Sequence, residues 1–255
     1  MKLVQSFVIA MSMYSKIPMP RVNWKEDNMK YAMCFFPMVG IITGGCVWMV
    51  GQLLFRLSCG ALFRGAVFTL LPVFISGGIH MDGFMDTMDA LASYGDKEKK
   101  LAILKDTHAG AFAILGLGCY LVWSLAVWSE ITPGMLGVIS CVFVVSRSLS
   151  GFSVVTFPAA RKSGLVKIFQ DSAQKKRVRI TMICFLLLAA SVMLWINPVQ
   201  LAGAGIGALL SFVWYGRLCK SQFGGVTGDL AGCFLEISEL SMLTGVMIAG
   251  GALWN

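Results

Sequence analysis

The sequence predicts an all-α fold, a polytopic integral membrane helical bundle of about seven transmembrane helices in a single domain over residues 1–255. Three observations carry that prediction. Apolar residues make up 57% of the chain and charged residues only 13%, with a mean hydropathy of +0.76; a soluble domain carries about a quarter charged residues. The apolar residues fall in runs long enough to cross a bilayer. The charges gather between those runs.

Residues 1–20 are apolar but short and end in Ile17-Pro18-Met19-Pro20, which reads as an interfacial or partly inserted helix. Lys2 is its one early charge before Lys16, and no cleavable signal is expected. A polar loop over 21–30 leads to an uncharged first span at 31–55. Arg56 and Arg64 mark a short turn, and residues 65–81 return as a second span. Residues 82–108 are polar. A third span covers 109–129 and a fourth 135–155, the latter carrying Arg147. Residues 156–179 form the most basic loop, in which Lys175-Lys176-Arg177 and Arg179 read as a lipid-facing anchor. The uncharged stretch 180–216 is too long for one span. Asn197-Pro198 divides it, because proline lacks the N–H and disfavours helix in the residue before it. A glycine-rich connection over 217–236 precedes a last span at 237–254.

Of the 21 Lys and Arg residues, all but Arg56 and Arg64 fall on segments that share one side. The positive-inside rule then makes the N-terminus cytoplasmic, in a bacterial cytoplasmic (inner) membrane, with every polar motif facing the cytoplasm. The net charge of +8 reflects loops facing anionic lipid and anionic substrates, and no nucleic-acid partner is expected. The eight cysteines form no C-x-x-C pair and read as small core residues.

Chemistry concentrates in Gly77-Gly78-Ile79-His80-Met81-Asp82-Gly83-Phe84-Met85-Asp86-Thr87-Met88-Asp89. Asp82, Asp86 and Asp89 stand at i, i+4 and i+7, within roughly 60° of one another on one helix face. Three adjacent carboxylates repel unless a cation neutralises them. Their hard oxygens suit Mg²⁺, or Mn²⁺, better than zinc. His80 is a candidate phosphate contact or proton acceptor. In Lys105-Asp106-Thr107-His108-Ala109-Gly110 the lysine would pair with phosphate, and Asp106 would reach metal or a sugar hydroxyl. Arg147 and Arg161 are candidate phosphate ligands, since arginine engages phosphate through two parallel hydrogen bonds. Ser221-Gln222-Phe223-Gly224-Gly225-Val226-Thr227-Gly228-Asp229 offers Gln222, Thr227 and Asp229 on flexible backbone, with N–H groups that could cradle a phosphate and Asp229 as a candidate fourth carboxylate for metal. It is no Walker A motif, because no G-K-[ST] follows. Glu236 and Glu239 stand i, i+3 near the last span, without an assigned role.

Taken together these motifs resemble the cobalamin synthase family, the adenosylcobinamide-GDP ribazoletransferases. The likeness runs through Phe7 with Ile17-Pro18 and Pro20, Phe36-Pro37-Met38-Val39-Gly40, and the stretch from Gly77 to Gly83 with Asp86 and Asp89. It continues through Lys105 to Phe112, Arg161 with Gly164-Leu165, and Gln222 to Asp229. Ala90 stands where the family usually has glycine, and Thr107-His108 where serine and a varied residue are common. The resemblance implies a membrane transferase that joins adenosylcobinamide-GDP to α-ribazole, or its 5′-phosphate, and releases GMP. It implies that Mg²⁺ on Asp82, Asp86 and Asp89 serves the pyrophosphate, and that Asp89 or His80 accepts the proton of the attacking hydroxyl, with Asp82, Asp89 and His80 as the catalytic set. A homo-oligomer, or a complex with other cobalamin-assembly enzymes, is a further expectation. Two rival readings have weaker support. A CDP-alcohol phosphatidyltransferase would place alanine and arginine where Asp86-Thr87 stands. An ion-coupled transporter would hold its acids near mid-membrane rather than at the end of a span.

Overall fold

In the computed structural model, which describes residues 2–23 and 26–251, the regular elements are helices. In chain order they are α1 (Lys2–Tyr14), α2 (Glu26–Met29), α3 (Phe36–Arg56), α4 (Ala61–Ser76), α5 (Ile79–Ala92), α6 (Lys97–Ile103), α7 (Ala111–Ser129), α8 (Leu136–Thr156), α9 (Leu165–Ser172), α10 (Lys175–Ile196), α11 (Pro198–Leu218) and α12 (Gly228–Ala249). A π-helical turn, Cys219–Phe223, follows α11. Helices α3, α7, α8, α10, α11 and α12 are long and apolar enough to cross a membrane. Helices α4 and α5 pass the same test only as a pair, and they are bent 98° against each other. The chain is therefore a polytopic helical membrane bundle of six or seven crossings. Helix α5 leaves the line of α4 and carries the acids with it.

Small residues let the crossings approach closely, which is how helices associate when lipid is as apolar as leucine. Gly203 and Gly207 of α11 lie against the backbone of Gly245 and Ser241 of α12, and a Cβ at either glycine would collide with a carbonyl. Gly40 and Gly44 place α3 against α8 at Phe143 and Ser140 in the same way. Asn197 separates α10 from α11 as expected, and its side chain accepts from the N–H groups of Val199 and Gln200 at 3.0 Å.

The bend before α5 was not foreseen. Gly77 and Gly78 both adopt left-handed conformations, φ +68° and +80°, which side chains with a Cβ rarely take. The N–H groups of Gly77 and Gly78 donate to the carbonyls of Phe74 and Val73, closing α4. The Lys16 N–H donates to Ile75 O at 2.8 Å and ties the segment after α1 to the same corner.

Four expected boundaries shift. Helix α12 starts at Gly228 rather than 237, because Thr227 caps it by accepting from the Leu230 N–H at 3.2 Å. Glu236 and Glu239, counted as breaking the span, find partners inside the bundle, described below. Helix α10 starts at Lys175, so the basic anchor is its first turn. The basic loop holds α9, and the polar segment after residue 82 holds α5 and α6. Helix α1 packs into the bundle: Ile9, Ala10 and Met11 are fully buried, and Ile9 and Met11 join the core that includes Met33 and Phe36. Lys25 and the expected end of the last span at Trp254 lie outside the described residues.

Candidate active site

The polar motifs converge at one end of the bundle. Gly83 sits against the backbone of Asp229, so close that a Cβ there would lie 2.7 Å from the Asp229 carbonyl oxygen. Gly232 meets the backbone of His80 in return. This glycine-to-backbone contact lays α5 across the start of α12 and brings Asp82 and Asp86 beside Asp229. On the other flank, Val226 and the strand-like residue Ala159 form an isolated parallel bridge. Arg161 follows directly, with a nitrogen 4.0 Å from Asp229 Oδ2 and another donating to Leu101 O at 2.6 Å.

A cavity of about 220 Å³ opens among these groups. Asp82, Arg161 and Asp229 line its exposed side, and His80 lines its inner side. The rest of the inner wall is apolar and aromatic: Tyr14 from α1, Met33 from the turn before α3, Phe36 at the start of α3, Val154 from α8 and Phe169 from α9. No local pattern in the sequence marked this wall, because its residues come from four distant segments and look like ordinary core. Arg161 also lines a recess of about 40 Å³ between the starts of α9 and α12, near Ser163, Lys167 and Thr227.

The acids are not equivalent. Asp82 is exposed on the cavity side. Partial burial, then the charges of Asp82, Asp229, Asp89 and Asp106, push the Asp86 carboxyl up to about 6. Asp89 serves another element: its two oxygens accept from the N–H groups of Gly110 at 2.5 Å and Ala113 at 2.8 Å, capping α7. Asp106 is exposed, and the hydrogen bond to His108 holds its carboxyl below the usual range.

Other expected site residues are held elsewhere. Arg147 is buried in the bundle, where its Nη1 donates to Glu239 Oε1 at 2.5 Å, Phe143 O at 3.1 Å and Ser146 Oγ at 3.2 Å. It pairs with an acid rather than lining the cavity. Gln222 accepts from Lys100 Nζ at 2.5 Å, which pins α6 to the π-helical turn. Lys105 is exposed on the loop before α7. Thr227 is occupied as a cap and donates to Asp229 Oδ2 at 3.4 Å. His80 is 5% exposed, its Nε2 has no partner, and its ring stacks near Tyr14 at 6.1 Å.

Among the described residues, no group of three or more His, Cys, Asp or Glu side chains is arranged to hold a metal ion. What the chain offers is an open set: carboxylates of Asp82, Asp86 and Asp229, crowded enough to raise one of them, with Arg161 as the nearby cation. Such a set fits Mg²⁺, which takes one or two carboxylates and completes its shell with water and substrate phosphate.

The family model described as Cobalamin-5-phosphate synthase matches residues 6–247. The chain is 45% identical over 253 residues to the adenosylcobinamide-GDP ribazoletransferase of Lachnoclostridium phytofermentans, covering 99% of this chain and 97% of that one. It is 31% identical over 245 residues to the enzyme of the same description from Desulfitobacterium hafniense, covering 93% and 94%. The Clostridium botulinum enzyme of that description is 30% identical over 249 residues, covering 93% and 95%. No solved structure matches. A match across nearly the whole length, with the acids and the basic loop drawn to one cavity, makes this chain a member of the cobalamin-5-phosphate synthase family.

Proposed function

We propose that the protein joins adenosylcobinamide-GDP to α-ribazole, or to its 5′-phosphate, and releases GMP, closing the nucleotide loop of cobalamin. The observation that carries this reading is the two-sided cavity, with Arg161, Asp82 and Asp229 on one side and an aromatic wall on the other. A ribose hydroxyl attacks the phosphate that bears the cobinamide, the pyrophosphate bond breaks, and GMP departs with the bond's electrons. Such a displacement needs positioning and charge neutralisation more than covalent help. Arg161 binds phosphate oxygens from the cavity side and from the small recess. The proton of the hydroxyl passes to a carboxylate of the cluster, and Asp82 is the acid that lines the cavity without a fixed hydrogen bond.

Asp82, Asp86 and Asp229 would hold Mg²⁺, or Mn²⁺, which when bound neutralises charge on the pyrophosphate and on the departing GMP. Asp89, as the cap of α7, fixes where α7 starts relative to those acids. The protein resides in the bacterial inner membrane with the acid end toward the cytoplasm, where nineteen of its basic residues gather by the charge rule and where nucleotide substrates are made.

The test is purified protein in detergent with both substrates and Mg²⁺. Expected are a complete corrin nucleotide loop and one GMP per product, both lost with chelator. Arg161→Ala should raise KM for the GDP-bearing substrate more than KM for α-ribazole. Absence of the product under these conditions overturns the assignment.

A further inference from the structure

The cavity has an internal gradient that tells its two prospective substrates apart. Its exposed side carries Asp82, with Arg161 and Asp229 side chains 22% and 30% exposed. Its inner side is Met33, Phe36 and Phe169, each 2% exposed or less, with Tyr14 and His80. Tyr14 packs on Phe36 with ring centroids 4.3 Å apart, and His80 lies near both rings. Within this dry wall His80 Nε2 is buried without a partner. A buried polar atom left unpaired is costly, and a ligand that pairs with it recovers that cost.

We propose that the inner half of the cavity receives the planar base of the acceptor nucleoside, that His80 Nε2 hydrogen-bonds the ring nitrogen of that base, and that the guanosine of the donor binds outside it. This rests on the transferase reading above. Ribazole carries a methylated benzimidazole, an apolar plate with one free ring nitrogen that accepts a hydrogen bond. His80 in the Nε2–H form supplies one donor to match it. Guanine carries donors and acceptors on every edge. The inner wall answers with His80, Ser150 and Tyr14, whose hydroxyl already donates to Met33 Sδ at 3.7 Å. Guanine would leave polar groups unpaired there, and sites discriminate strongly against that. With the base inside, the attached ribose extends toward Asp82 and Asp229. The acceptor hydroxyl then sits among the carboxylates, and the bulky donor approaches from the exposed side.

Two variants test it, each with two readouts. His80→Phe keeps a ring and removes the donor, and Leu235→Phe fills the lining with extra volume. Binding of α-ribazole is measured by calorimetry without donor or metal, and KM is measured for both substrates. Each variant should weaken α-ribazole binding and raise its KM by about tenfold or more, leaving the donor KM within about twofold. GMP should not displace α-ribazole from the wild type. Displacement by GMP, or a rise in donor KM with the acceptor KM unchanged, overturns the proposal while leaving the transferase reading intact. A wild type that neither binds α-ribazole nor turns it over overturns both.

Discussion

Helix α12 carries acids of two kinds, four turns of helix or less apart, and the contrast between them separates architecture from chemistry. Glu236 and Glu239 lie inside the bundle, 8% and 6% exposed. Glu239 Oε1 takes hydrogen bonds from Arg147 and from Ser146 Oγ at 2.7 Å, and Glu236 Oε2 accepts from the Tyr120 hydroxyl at 2.6 Å. Asp229, in the first turn, faces Asp82 and Asp86 instead, with Arg161 only at 4.0 Å. The first set has its partners built in. The second is left to repel until something arrives from outside, and that is the set on the cavity.

Breaking the closed set should have the largest effect. Arg147→Ala removes the cation from Glu239 inside the bundle, leaving it the Ser146 hydroxyl, and should cost about 3–5 kcal/mol. Thermal unfolding in detergent checks this, and a wild-type melting curve would refute the pairing as a stabilising lock. In the open set the effect should move from stability to rate. Asp82→Asn and Asp229→Asn should each lower turnover by about 10²–10³ while the melting temperature holds or rises. Loss of fold in these variants would erase the distinction between the two sets. A subtler way to open the second set is Gly83→Val, which pushes α5 off the Asp229 backbone. Displacing the acids by an ångström should lower turnover about 10²-fold, and Gly83→Ala should give a milder loss in the same assay.

The smallest effect is electrostatic. Asp86 titrates near 6 in the fold against 3.8 for a free side chain, so the fold binds its proton more tightly than the unfolded chain does. Its contribution to stability is full below 3.8 and is lost as pH rises through about 6. Metal-free protein should therefore melt progressively lower between those values, by less in Asp86→Asn. Added Mg²⁺ should flatten the dependence. A metal-independent slope would leave burial alone as the cause and refute the contribution of the neighbouring carboxylates.

Charge and hydropathy made the crossings legible, because the spans are apolar and most of the charges lie between them. They misplaced the start of α12 for the same reason: counting acids as span-breakers ignores a partner on another helix. Arg147 sits 92 residues from Glu239, and no local rule links them. The spacing of Asp82, Asp86 and Asp89 correctly placed them on one helix, yet spacing cannot tell which carboxylate is borrowed by a neighbour. Asp89 is taken by the backbone of Gly110 and Ala113, and Asp229 comes in from α12. Glycine at 83 permits a close approach, but only the fold shows that the Asp229 backbone makes it. The aromatic wall was invisible, since Tyr14, Phe36 and Phe169 read as core until the fold brings them to one space.

The paired left-handed residues at Gly77 and Gly78 work as a crank. They turn the chain through 98° between α4 and α5, so the acids stand on an arm that leaves the line of the helix before it. Any residue with a side chain at either position would strain the crank and shift the carboxylates relative to α4.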